Sequence, residues 1–191
     1  MTFFRYPECV PFIRRIYLHR WTHGTVAVAD HLLTGTESSK ADILHYSKAK
    51  AEKISIVHDG TSAAFYIAED SEGRPARVKA LRERFPILPE KYVLYLGTLT
   101  AHKNIPRLVR AMDLVRQKPN GEDAQLVLVG KPAFGYDQVE AAIAETDSRG
   151  QCHELGYVED EYLPALYEAA HTHVLPSFTE GFGLPITEAM A

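Results

Sequence analysis

The chain has 191 residues, room for one domain or one and a fraction. Apolar residues make up 46% and charged residues 24%, which excludes a disordered polyelectrolyte. A formal net charge of −4 argues against a nucleic-acid-binding protein, and two cysteines, Cys9 and Cys152, exclude a disulfide scaffold and fit a reducing compartment.

The first sixty residues read helix, strand, helix, strand. Phe12, Ile16, His19 and Val26 fall on one face of a helix from about Pro11 to Ala29, weakened near its end by Gly24. His31–Thr36 is a short apolar run, a buried strand. Ser38 and Ser39 are candidate N-caps for a helix to about Lys50. Lys53–Val57 is strongly β-branched and stops at Asp59-Gly60, a turn signal. No signal peptide is expected, since Arg5 and Glu8 interrupt the apolar start, and no apolar run reaches the ~20 residues of a membrane span.

Residues 61–90 are less regular. They hold Ser71-Glu72-Gly73-Arg74-Pro75, a helical piece over Ala76–Phe85, then Pro86 and Pro89, and are expected to be an interdomain linker. Charge changes across them. Residues 1–60 carry 8 basic and 6 acidic side chains, residues 61–191 carry 13 and 19, consistent with two units.

From Lys91 the pattern is rhythmic. Apolar runs at Tyr92–Leu96, Gln125–Val129 and Cys152–Leu155 are closed by Gly97, Gly130 and Gly156, and a fourth ends at Val174-Leu175. Between them lie helical patterns with Asn104, Asp137 and Asp160 as candidate caps, and Pro185 opens a further helix. Strands alternating with helices predict βαβ units, a parallel sheet with helices on both faces.

In such a sheet ligands bind beyond the carboxyl ends of the strands. There the chain has Gly97, Thr98 and Lys103, then Gly130 and Lys131, then Gly156, Tyr157 and Val158, then Glu180, Gly181, Phe182 and Gly183. Glycines let backbone approach a ligand, and they also simply make tight turns. Helix starts after Thr100, Gly135 and Gly183 would offer free amides to an anion, and Lys103 and Lys131 add full positive charge, an arrangement suited to a diphosphate. Glu180 and Glu188 are separated by seven residues. Two carboxylates near a helix start are favoured by its dipole; two aimed at one cleft would accept hydrogen bonds from sugar hydroxyls. Spacing alone leaves both readings open.

The run Pro176-Ser177-x-x-Glu180-Gly181-Phe182-Gly183-Leu184-Pro185-x-x-Glu188-Ala189-Met190-Ala191 resembles the Glu-x7-Glu motif of the retaining glycosyltransferases of family 4, glycosyl transferases group 1, which have the GT-B fold. The run from Tyr92 to Met112 is similar to the first strand, loop and helix of that family's nucleotide-sugar domain. Leu126–Lys131 and Leu155–Tyr167 are similar to the next two units, and Lys53–Gly60 to the strand and turn closing its N-terminal domain.

The resemblance implies a Rossmann-like parallel sheet of the GT-B type, with residues 1–60 the end of an acceptor-side domain and residues 91–191 an incomplete donor domain. It implies transfer of a hexose, with retention, from a UDP- or GDP-sugar to a glycan or lipid-linked acceptor. No metal or other cofactor is implied, and no Asp-x-Asp motif occurs. By position, Glu180 would contact the sugar hydroxyls and Glu188 the ribose. Amides around Gly181, Phe182 and Gly183 would help hold sugar and diphosphate. Lys103 would neutralise the diphosphate, with Gly97, Thr98 and Lys131 on the same rim, and the backbone near Tyr157 and Val158 would meet the base. Thr98 departs from the pattern, since many members have an arginine there. The family's N-terminal glycine-rich loop and its sugar-contacting histidine have no counterpart, so the chain is expected to be a fragment, truncated at both ends and inactive by itself.

Other readings carry less. A non-catalytic nucleotide-sugar-binding module fits the same motifs. A nicotinamide-binding domain would need Gly-x-Gly-x-x-Gly, and after Gly181 and Gly183 the third position is Ile186. His19 with His23, and His171 with His173, lack a third ligand at a usual spacing. Phe12, Tyr17 and Trp21 beside Arg14, Arg15 and Arg20 offer a membrane-surface helix as a second reading of the N-terminal segment. The expected location is the cytoplasm, at the inner face of the membrane if that helix docks there.

Overall fold

The computed structural model describes residues 1–66, 72–146 and 150–191, so Ser71 and its neighbours 67–70 of the expected linker lie outside the described residues. The chain forms two compact units, Met1–Gly60 with Phe178–Gly183, and Thr61–Ser177 with Leu184–Ala191.

The first unit runs α1 (Thr2–Arg5), α2 (Phe12–Val28), β1 (Leu32–Thr34), α3 (Glu37–Tyr46) and β2 (Ile54–Ile56). β1 and β2 pair in parallel, Leu32 opposite Ile54. The cap of α3 is neither Ser38 nor Ser39. Thr36 has the extended backbone an N-cap needs, and its hydroxyl accepts from the Ser39 amide at 3.1 Å; both serines are already helical. The helix ends at Tyr46, short of Lys50. Asp42 on α3 is buried and ion-paired with Arg5 at 2.6 Å, which offsets the cost of removing a carboxylate from water. On α2, Phe12 and Ile16 are exposed rather than inward, while His19 packs against Phe4 with ring centroids 4.1 Å apart.

The second unit is a doubly wound sheet. Its elements are α4 (Arg74–Arg84), β3 (Val93–Leu96), α5 (Ile105–Arg116), β4 (Leu126–Val129), α6 (Asp137–Thr146), β5 (Cys152–Gly156), α7 (Leu163–Ala169), β6 (Thr172–His173) and α8 (Leu184–Met190). All strands are parallel, in the order β5-β4-β3-β6. β4 pairs to β5 with one irregularity, Leu128 opposite Glu154 and Val129 opposite Gly156. The fourth strand is shorter than expected, although Val174 still donates to the Leu94 carbonyl at 2.9 Å.

Alternation along β3 and β4 builds a core on each face. Leu94, Val127 and Val129 pack with Leu81 of α4 and Leu166 of α7. Tyr95, Leu126 and Leu128 pack with Leu108, Val109 and Met112 of α5 and Val139 of α6. Period-2 strands and period-3.6 helices meet here as the two periodicities require. Buried Tyr92 donates its hydroxyl to the Leu166 carbonyl at 2.8 Å, so it hides no orphan polar group. The stretch 61–90 contains α4, whose Leu81, with Phe85 and Leu88 just after it, is part of the first of these cores. Arg77 fastens α4 to Glu168, at the end of α7, through two hydrogen bonds of 3.2 and 2.7 Å.

The expected caps of the second unit differ in detail. Asn104 has the left-handed backbone (φ 58°) and makes no capping bond; its side chain donates instead to the Pro176 carbonyl at 3.1 Å. Asp137 is the first residue of α6, and Asp160 opens a 3-10 turn ahead of α7, so neither stands in the flanking cap position.

Candidate functional site

The strand order reverses at β3, with β4 and β5 to one side and β6 to the other. Beyond the carboxyl ends of β3, β4 and β5 lies a cavity of about 310 Å³. It is lined at its floor by Leu96, Gly97, Thr98, Val129 and Gly130. Lys131, Tyr157, Val158, Asp160 and Leu163 line the rest. Gly97, Thr98, Lys131, Tyr157 and Val158 thus line one cavity.

The floor is tight for a physical reason. Gly130 adopts φ +140°, and a Cβ there would run into the Gly97 carbonyl oxygen. A residue with a side chain would push the β3 and β4 loops apart. Beyond the strands these two loops continue to pair: Leu99 donates to the Lys131 carbonyl at 3.0 Å, Ala133 to Leu99 at 3.1 Å and Ala101 to Phe134 at 2.9 Å.

That pairing corrects one expectation. The amides after Thr100 and Gly135 are engaged: those of Ala101, Lys103 and Asn104 bond to carbonyls, as do those of Tyr136, Gln138 and Val139. These six amides are thus already bonded, and a full positive charge at the cavity comes from the Lys131 side chain. Lys131 is exposed, its ammonium 4.7 Å from the centroid of the Tyr157 ring, a cation–π contact that places the charge at the cavity mouth. Lys103 ends a 3-10 turn, Ala101–Lys103, and does not line the cavity.

Glu180, Gly181, Phe182 and Gly183 belong to the first unit. The Thr36 hydroxyl lies 2.9 Å from the Gly181 carbonyl, the Phe182 ring is 6.0 Å from His58, and Phe178 stacks on Tyr6 at 5.3 Å. The loop thereby has three attachments within its unit. Gly183 takes φ +88°, which suits a glycine at the start of α8. Glu188 lies on α8 in the second unit, and its Oε2 accepts a hydrogen bond from the Tyr167 hydroxyl at 2.8 Å.

Asp160 and Tyr167 were not singled out as site residues from the sequence. Asp160 looks like an ordinary helix cap, and Tyr167 like one more apolar position of α7. The signal for Tyr167 is its place four residues after Leu163, one turn farther along a helix that starts at the cavity. Among the described residues no three His, Cys, Asp or Glu side chains gather as a metal centre requires. Among them also, no helix is long and apolar enough to cross a membrane.

The family model of glycosyl transferases group 1 matches residues 78–191. The chain belongs to that family. The match takes in most of the second unit, with its cavity, and the Glu180–Glu188 motif. The chain is 32% identical to O-antigen chain mannosyltransferase B of Escherichia coli, over all of this chain and 49% of that protein. It is 30% identical to a D-inositol 3-phosphate glycosyltransferase of Salinispora arenicola, over 87% of this chain and 38% of that protein. It spans about half or less of the length of these curated relatives. Among solved structures, the HepE protein of Anabaena in complex with UDP and glucose superposes with a TM-score of 0.71 at 20% identity, covering 90% of this chain and 45% of that one. Sucrose-phosphate synthase of Thermosynechococcus elongatus gives 0.68 at 28% identity, covering 93% and 42%. The α/β fold with parallel sheets is that of the GT-B glycosyltransferases.

Proposed function

We propose that the chain is the donor-binding part of a retaining glycosyltransferase that moves a hexose from a nucleoside diphosphate sugar to a glycan or lipid-linked acceptor. The observation that carries this reading is the cavity over β3, β4 and β5, with a backbone floor at Gly97 and Gly130 and a lysine at its mouth. A phosphate chain can lie close to the backbone at Gly97 and Gly130, where no side chain intervenes, and Lys131 offsets its charge. The base would lie toward Tyr157 and Val158. Two of the relatives are named O-antigen chain mannosyltransferases, which makes GDP-mannose the first donor to test.

The chemistry needs two things. Negative charge develops on the diphosphate as the glycosidic bond breaks, and Lys131 and Lys103 would stabilise it. The sugar must be held in one orientation while that happens, and a carboxylate accepting two hydrogen bonds in defined directions does this well. Glu180 takes that role in our reading, Glu188 takes the ribose, and amides around Gly181, Phe182 and Gly183 hold the sugar and diphosphate. The reading requires no bound metal ion.

The test is the affinity gained from the sugar. We expect Glu180→Ala to remove the preference of the chain for GDP-mannose over GDP while leaving GDP binding within about twofold, because only hydrogen bonds to the hexose are lost. An unchanged preference would remove Glu180 from the sugar site.

A further inference from the structure

We propose that Tyr167 is a positioning residue for Glu188: its hydroxyl holds one carboxylate oxygen so that the other is presented to a ribose hydroxyl of the bound nucleoside diphosphate. The assignment rests on the reading that Glu188 receives the ribose, and goes beyond it by naming what orients that carboxylate.

The geometry is direct. The Tyr167 hydroxyl donates to Glu188 Oε2 over 2.8 Å, joining α7 to α8 within one unit. A glutamate has three rotatable bonds, and an unfastened carboxylate points its lone pairs in many directions. A hydrogen bond to a charged acceptor is among the stronger ones and holds that oxygen in place, which narrows the directions open to the other.

The tyrosine is itself held. Its ring meets His173 edge-on at 5.4 Å and Phe65 edge-on at 5.9 Å. His173 lies at the end of β6, and its Nε2 is buried without a hydrogen-bond partner. It therefore serves the tyrosine as a flat packing surface rather than as a hydrogen-bond partner. Burial, and then the bond to Glu188, push the Tyr167 phenol above its ordinary range, so it remains the donor at every pH at which the protein is handled. The bond spans 21 residues of sequence and crosses from one helix to the next, so it is no by-product of local helix geometry.

Tyr167→Phe removes the hydroxyl and keeps the ring and its packing. The full chain, wild type, Tyr167→Phe and Glu188→Ala, is titrated by calorimetry with GDP and with 2′,3′-dideoxy-GDP, and with the UDP pair alongside. The dideoxy ligand has no ribose hydroxyl for Glu188 to accept. We expect Tyr167→Phe to raise the Kd for the nucleoside diphosphate about tenfold, the scale of one lost hydrogen bond to a charged group, and to leave the dideoxy Kd unchanged. A purely structural role would move both ligands together. Equal shifts for both ligands, or none, overturn the assignment. If Glu188→Ala narrows the gap between the two ligands and Tyr167→Phe does not, only the role of Tyr167 falls. If Glu188→Ala leaves the gap as in wild type, the ribose reading of Glu188 falls and takes this inference with it. A chain that binds neither nucleotide overturns both.

Discussion

His173 shows how a single buried group ties stability to pH. Burial disfavours its charged form and lowers its pKa from the ordinary value near 6.5. The unfolded chain then binds a proton near pH 6.5 that the folded chain resists. Stability from this group is complete above that pH and falls as the pH drops through 6.5 toward the folded value. Glu159, held below its usual pKa by hydrogen bonding to Arg84, acts in the same direction but only below about pH 4.5, so the two windows separate. We expect His173→Phe, which keeps a ring against Tyr167, to flatten the fall in Tm between pH 7 and 5.5. Thermal unfolding followed by circular dichroism across that range checks it, and an unchanged slope would assign the pH dependence to other groups.

At the scale of elements, the second unit depends on α4 and α7 closing one face of the sheet. Leu81 is fully buried between α4 and the strands, against Leu94, Val127 and Leu166. Leu81→Ala is expected to cost about 2–5 kcal/mol, because the pocket it fills is walled by strands that cannot collapse inward. Urea unfolding of the full chain measures it, and a loss below about 1 kcal/mol would show that α4 is dispensable to this core. The strands and helices of this unit were legible because alternation and 3–4 spacing record which face is buried. Leu94 against Tyr95, and Leu108, Val109 and Met112 on α5, carry that record plainly. Helix ends were less legible. Ser38, Ser39, Thr36 and Asn104 all have capping chemistry, and only backbone conformation decides which one caps. Thr36 is extended and does so; Asn104 is left-handed and bonds to Pro176 instead. The amides near Thr100 and Gly135 were misread for a similar reason. Most of their partners lie three residues back in tight local turns, and that of Ala101 is Phe134 in the neighbouring loop, where no local pattern announces a pairing such as that between Leu99 and Pro132.

At the scale of the whole molecule, the site residues fall into two sets. Gly97, Thr98, Lys131, Tyr157 and Val158 line one cavity of the second unit; Glu188 belongs to the same unit and is bonded to Tyr167. The Glu180 segment leaves that unit at Phe178, takes its contacts from Tyr6, Thr36 and His58, and returns at Leu184. The Glu180–Glu188 motif therefore spans a boundary of the fold that its even appearance in the sequence does not reveal. What was legible of the site was its backbone: glycines that close strands, and a lysine after one of them. The pairing of Tyr167 with Glu188 was not, since it depends on how α7 meets α8. In our proposal the cavity over β3, β4 and β5 receives a nucleoside diphosphate. Calorimetric titration of the full chain with GDP, UDP and NAD tests it most directly. We expect saturable binding of GDP or UDP in preference to NAD; preference for NAD, or binding of neither diphosphate, would overturn the proposal.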